Sequence, residues 1–206
     1  LLWLLPTQKS VRSSASELSM QVAENASSDI NISLEAVLAK VQDAALDMQA
    51  EPDRSKMILD RLLQRNPSFT HAAVVEHYGS EMTSSHLHAS QDDMRDYSKL
   101  SGLYLALAGS SSFGDVTRGE DGRPTSVVTV PIVRASGIHS VLAVDVNLER
   151  FTEIVGLPKT GTWRVYITDH AGLEILDPDS SRAAGGRNLL NRPIVQKVAV
   201  DGQAVD

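Results

Sequence analysis

A chain of 206 residues with 42% hydrophobic content has room for one large or two small domains around a true core. Its formal charge of −7 argues against nucleic acid or anionic lipid as a partner, since both call for a basic surface. Having no cysteine, the chain excludes disulfides, thiol catalysis and cysteine-ligated zinc.

The chain opens on LLWLLP, far short of the roughly 20 apolar residues that a spanning helix needs. This run reads as the outer end of a membrane helix that starts outside the sequence, or as a strand or packed tail. From Ser10 to Ala50 there is neither proline nor glycine. Val11, Leu18, Val22, Ala26, Ile30, Leu34, Val37, Val41, Ala45 and Met48 recur at helical spacing. One long amphipathic helix of about 60 Å is expected. Its apolar stripe predicts parallel self-association into a homodimer. The stretch NASSDINIS, 25–33, holds poor helix formers and marks a place to bend or break.

Pro52 and Asp53 start a second helix with Met57, Ile58, Leu59, Leu62 and Leu63 as its core face, ended by Asn66–Pro67. HAAVVEHYG, 71–79, reads as a strand and EMTSSHLHA, 81–89, as its hairpin partner. Residues 92–108 read as a third helix and 110–124 as a polar loop. Val127–Val133 and Ser140–Val146 are two apolar strands around a turn at Ser136–Gly137. Asn147 caps a short helix. TWRVYITDHAGLEILDPD, 162–179, reads as a second strand pair, and 188–198 as a short helix. The sequence thus divides into 1–50, the long helix; 51–156, a first α+β lobe; and 157–206, the start of a second.

Asp145 sits between Val144 and Val146 in an apolar strand, where a charge is costly unless something pairs with it. It reads either as an acceptor for a ligand amine or as a carboxylate satisfied by backbone amides or Arg150. Tyr97 and Tyr104 are seven apart on the third helix, so they share a face and either line a pocket or pack as ordinary aromatics. Thr129 alternates with Val127 and Pro131 and is expected to face the same pocket. Arg118 in the polar loop is a candidate source of positive charge. His86 and His88 have metal-like spacing but no third and fourth ligand nearby. Neither a nucleophile elbow nor a P-loop is present, so no catalytic residue, metal or cofactor is assigned.

Four stretches resemble the double Cache domains of bacterial transmembrane receptors. NPSFTHAAVVEHYG resembles the start of the membrane-distal sheet, and DYSKLSGLYLALAG the pocket helix. GRPTSVVTVPIVRASGIHSVLAVDVNLERF resembles the central hairpin and connector. VYITDHAGLEILDPD with GGRNLLNRP resembles the start of the membrane-proximal lobe. The resemblance covers about 150 residues. It implies an α+β fold with a long N-terminal helix and two PAS-like antiparallel-sheet lobes, the second incomplete, its last strands lying beyond Asp206. It implies an extracytoplasmic, periplasmic sensor that binds a small organic ligand and signals through membrane helices outside this sequence. The output would be a histidine kinase, chemoreceptor or cyclic-dinucleotide enzyme. The rival expectation is a dimerisation or protein-binding module of the same shape.

In the amino-acid-binding members of that family, a Tyr, an Arg and an aromatic pair lie on the pocket helix, and an Asp on the strand before the connector. Those positions fall on Tyr97, Gly102, Tyr104 with Leu105, and Asp145. The arginine that grips a ligand carboxylate is therefore absent, and Asp145 alone suits an amine or another cation.

Overall fold

The computed structural model describes residues 4–87, 96–119, 122–134, 137–151, 167–168, 171–176, 187–193 and 195–196. The chain forms two compact units, one of residues 34–150 and one of residues 1–33 with 151–206. That division runs through the long helix, whereas the grouping 1–50, 51–156 and 157–206 follows the elements.

Helix α1, Leu4–Ala50, is continuous. The segment 25–33, expected to bend or break, is helical throughout, and Ser33 donates back to the Asp29 carbonyl at 2.7 Å. Val37, Val41, Ala44, Ala45 and Met48 are buried, whereas Leu18, Ile32 and Leu46 are exposed. After a single 3-10 turn at Pro52–Arg54, α2 runs Ser55–Arg65. It buries Ile58, Leu59, Leu62 and Leu63. Met57, expected on that face, is exposed, because it lies one residue round the helix from the buried stripe.

The sheet of the first unit comprises β1 (Phe69–Glu76), β2 (Glu81–His86), β3 (Ser112–Phe113), β4 (Thr117–Arg118), β5 (Pro124–Arg134) and β6 (Gly137–Asn147). Its order is β2-β1-β6-β5-β3, with β4 also on β5. Every pairing is antiparallel. The two short strands β3 and β4 occupy what reads in sequence as a polar loop. Hairpins β1–β2 and β5–β6 form locally, but β1–β6 joins segments some seventy residues apart. That junction makes β6 a central strand, and both of its faces are buried along Ser140–Leu148.

Helix α3, Ser101–Leu107, covers one face, packing Leu103 and Ala106 on Ala73, Val75, Val141 and Ala143. The opposite face carries Ala72, Val74, Leu142, Val144, Val128 and Val130, all buried. Helix α2 packs there, since Ser85 pairs with Ala72 across the strands and donates to Asp60 of α2 at 2.5 Å. Gln42 of α1 reaches Ser111 beside β3. The third helix is shorter than the expected 92–108: residues 96–100 form a turn, and 88–95 lie outside the described residues. After β6, Asn147 accepts from the Glu149 amide at 2.9 Å and caps a 3-10 turn, Leu148–Arg150.

In the other unit β7 (Ile167–Thr168) pairs with β8 (Glu174–Leu176). Glu174 is 1% exposed and is gripped by both Nε and Nη2 of Arg187, each at 2.9 Å. A buried carboxylate of this kind is tolerated because the fork saturates both oxygens. Asn188, expected to begin a helix, instead forms an isolated bridge with Leu173. The helical turn comes later, where the Gln196 amide bonds the Arg192 carbonyl.

The Asp60–Ser85 contact gives a testable stability term. The Ser85 hydroxyl, with help from Lys56, holds the Asp60 carboxyl below the ordinary carboxylate range. A lowered folded value means that this contribution is present above the unfolded value, near 3.9, and is lost as pH falls through the folded one. Asp60 is 43% exposed in its side chain, so the contact contributes no more than about 1 kcal/mol. Ser85→Ala should lower urea stability by that amount at pH 7, with the deficit shrinking below pH 4. An equal deficit at pH 7 and pH 3 would contradict it.

Candidate functional site

Cross-strand partners share a face of the sheet. On one rung His86 of β2 faces His71 of β1, His71 faces Asp145 of β6, and Asp145 faces Val127 of β5. This rung lies on the α3 face, since Ala73, Val75, Val141 and Ala143, of the same parity, pack there. Three ionisable side chains thus stand in one row at the margin of an apolar cluster. His71 is 2% exposed and Asp145 is 7% exposed. His71 Nδ1 lies 3.9 Å from Asp145 Oδ2, and its ring centroid is 4.2 Å from that of His86.

Tyr97 closes the row from above. Its hydroxyl lies 3.0 Å from the same His71 Nδ1, and the two rings are nearly parallel with centroids 6.4 Å apart. Tyr97 is not on the helix, as its sequence reading had it; it lies in the turn before α3. The turn is anchored at the β1–β2 hairpin, where the Tyr97 amide donates to the Gly79 carbonyl at 3.0 Å. Gly79 has φ +89, and a Cβ there would meet the Ser98 amide nitrogen at 2.3 Å. Only glycine permits this crossing. Asp96 accepts the Ser98 amide at 2.8 Å, a bond that holds its carboxyl below the ordinary range. The Leu100 amide then bonds back to the Tyr97 carbonyl, and α3 begins.

The remaining candidates are placed differently. Tyr104 is 65% exposed and donates to the Ser98 carbonyl at 3.4 Å. It does not share a face with Tyr97, because no helix joins them. Thr129 is fully buried, and its hydroxyl is already engaged. Its Oγ1 donates to the Gly102 carbonyl at 3.0 Å and lies 2.9 Å from Ser112 Oγ. It clasps the first turn of α3 onto β5. Arg118 pairs in register with Pro124 and donates to the Gly122 carbonyl at 3.2 Å. Pro124 is three residues, about 10 Å, along β5 from the Val127 that faces Asp145. The structure therefore brings Tyr97 and Asp145 together, and leaves Tyr104, Thr129 and Arg118 apart from them.

His71 is the residue that sequence reasoning missed; His86, read there only for its metal-like spacing with His88, stands beside it. The available signal was parity: His71 alternates with Ala73 and Val75 as Asp145 does with Ala143 and Val141. His88 and the side chain of Arg150 lie outside the described residues. Among the described residues no group of three or more His, Asp or Glu is arranged to hold a metal ion.

Gly102, at the position where the resemblance puts an arginine, has no room for a side chain. A Cβ there would meet Thr129 Oγ1 at 2.7 Å and Ser112 Oγ at 2.8 Å.

No family model matches the sequence, and no curated protein sequence matches it. Solved structures do. The ligand-binding domain of Campylobacter jejuni chemoreceptor Tlp3, in complex with L-valine, superposes with a TM-score of 0.72 at 11% identity, over 93% of this chain and 81% of that one. An extracellular ligand-binding receptor from Desulfohalobium retbaense gives 0.71 at 16% identity, over 87% of this chain. This chain spans only 33% of that receptor's length. The extracellular domain vpHK1S-Z8, described as a histidine kinase's, gives 0.67 at 15% identity over 96% of this chain and 83% of its own. At these identities the likeness is one of fold. The chain shares the fold of these extracellular ligand-binding and sensor domains.

The clasp gives the second prediction. Alanine at position 102 improves helix propensity by up to about 1 kcal/mol, yet forces Thr129 or Ser112 to move. Overpacking costs typically about 1–3 kcal/mol, so Gly102→Ala should be destabilising on balance. Adding Ser112→Ala, which vacates one of the two crowded oxygens, should recover part of the loss in thermal unfolding. A Gly102→Ala protein as stable as the parent would contradict the clasp.

Proposed function

We propose that this chain is the extracytoplasmic sensor region of a bacterial membrane receptor, and that its first unit binds a small cationic organic molecule at Asp145. The observation that carries this reading is a buried carboxylate on the central strand, beneath Tyr97 and beside His71, in a fold shared with ligand-binding sensor domains. A desolvated carboxylate with a phenol and an imidazole beside it is suited to an ammonium group, which donates three hydrogen bonds. Related folds are described in complex with L-valine and with isoleucine, both of which carry an amine. The closed position at Gly102 supports an amine without a clamped carboxylate as the preferred class. Tyr104, Thr129 and Arg118 enter this reading only as the rim residue, the clasp and a peripheral cation.

Signalling requires only that the ligand bind one of two conformations better. In this reading ligand contact at Tyr97 biases the turn that starts α3, and α1 carries the change toward membrane helices outside this sequence. No described helix is itself long and apolar enough to cross a membrane. The output domain would be a histidine kinase, chemoreceptor or cyclic-dinucleotide enzyme. Self-association is part of the proposal. Because Val37, Val41 and Met48 are committed to the fold, a partner helix would meet Leu18, Ile32 and Leu46, which are exposed and spaced by two heptads.

Two experiments test these points. A thermal-shift screen of amines and amino acids should find stabilising amines, and calorimetry should then show that Asp145→Asn weakens the best of them more than about thirtyfold. That figure follows from the roughly 2–5 kcal/mol lost when one partner of a buried charge pair is truncated. The melting temperature of the unliganded variant should stay near that of the parent. A much lower melting temperature with unchanged affinity would make Asp145 a structural carboxylate and favour the protein-binding module. For self-association, the cysteine-free chain allows a clean test. Ile32→Cys should form an oxidative cross-link between copies tethered to a short coiled coil, and Lys40→Cys should not. Equal cross-linking at both, or none at Ile32, would contradict the stripe.

A further inference from the structure

Asn147 has so far entered only as a cap. It ends β6 two residues after Asp145, so both side chains leave the sheet on the same face. It stands on the next rung of that face, opposite Thr125 of β5, and its backbone amide donates to the Ser68 carbonyl at 2.8 Å. Strand geometry sets the two side chains about 7 Å apart. Asn147 is buried, with 4% exposure.

One end of this side chain is committed. Its Oδ1 accepts from the Glu149 amide at 2.9 Å. A backbone N–H can only donate, so the end turned to Glu149 has to be the oxygen. The other end is therefore the NH2, which has two hydrogens to give. Beside it, the Thr125 hydroxyl donates to the Arg123 carbonyl at 3.3 Å, and the Glu149 carboxylate lies 3.2 Å from Arg123 Nε. An amide donor in so dry a place is costly unless something accepts from it.

We infer that Asn147 is a second ligand-binding residue, whose NH2 holds an oxygen of the ligand. Resting on the amine reading of the site, this narrows the ligand class to amines that carry a neutral oxygen, as a hydroxyl or carbonyl, a few bonds from the nitrogen. Two observations make that oxygen neutral. A carboxylate is best held by a guanidinium fork, and the position where the resemblance expects one is Gly102, which has no room for a side chain. A ligand carboxylate at Asn147 would also stand within about 7 Å of Asp145, where two negative charges repel in a buried setting. Asn147 belongs to its own rung, so its donor is offered whatever else Asp145, His71 and Tyr97 bond. The same amide caps the 3-10 turn Leu148–Arg150, so a ligand oxygen and the exit from β6 are joined through one side chain.

Asn147→Ser separates the cap from the donor, since serine caps as well as asparagine but brings no amide. Calorimetry on the whole 206-residue chain compares propanolamine with butylamine, in which a methyl replaces the hydroxyl. The substitution should weaken propanolamine by about three- to tenfold, the worth of one neutral hydrogen bond, and leave butylamine unchanged. Equal weakening of both, or of neither, would overturn the assignment. If the parent binds neither amine, the amine reading fails and dimethylformamide, an acceptor without an N–H, decides the Asn147 site alone. In the amide NMR spectrum of the parent, the side-chain NH2 signals of Asn147 should then shift saturably as dimethylformamide is added. Signals that stay in place would overturn the site as well.

Discussion

The first unit is organised around a carboxylate kept mostly out of water on the central strand. Removing Asp145 from water costs several kcal/mol in an apolar setting, and its neighbours must offset that cost. The fold brings polar groups from places remote in sequence: β1 sets His71 in the same rung, and the turn before α3 lowers Tyr97 onto His71. If this row is disturbed while the charge remains, a carboxylate is left in a sheet with both faces buried.

Small residues and hydroxyls make the arrangement possible. Gly79 allows the 96–100 turn to cross the β1–β2 hairpin at backbone contact distance. Gly102 allows α3 to sit directly on Thr129 and Ser112. Together they fix the helix at its start and leave its outer side, with Tyr104 and Leu105, in solvent. Helix α1, by contrast, is committed to the first unit along Val37–Met48.

Much of this was legible in the sequence where the determinants are local. The proline- and glycine-free run gave α1, the buried stripe of α2 followed its period, and alternation together with turn residues gave both hairpins. Asp145 stood out because a lone carboxylate in an apolar strand is expensive. The rest depends on tertiary contacts. His71 meets Asp145 only through the β1–β6 pairing, which no local pattern encodes. Tyr97 and Tyr104 looked like one helical face because their spacing is helical. What removes Tyr97 from the helix is its anchor at Gly79, some eighteen residues earlier in the chain. Thr129 read as a pocket hydroxyl, since a buried threonine on the correct face looks the same whether its partner is a ligand or the Gly102 carbonyl.

The fold is shared with extracellular sensor domains at 11–16% identity. The row of this chain carries one carboxylate, two imidazoles and a phenol, with a glycine where the resemblance expects a guanidinium. The most direct test is a crystal structure of the protein in complex with the best amine from a thermal-shift screen. The account predicts the ligand nitrogen within hydrogen-bonding distance of the Asp145 carboxylate, with Tyr97 over it and His71 alongside. A ligand bound elsewhere, with the Asp145 carboxylate fully occupied by protein groups, would contradict it.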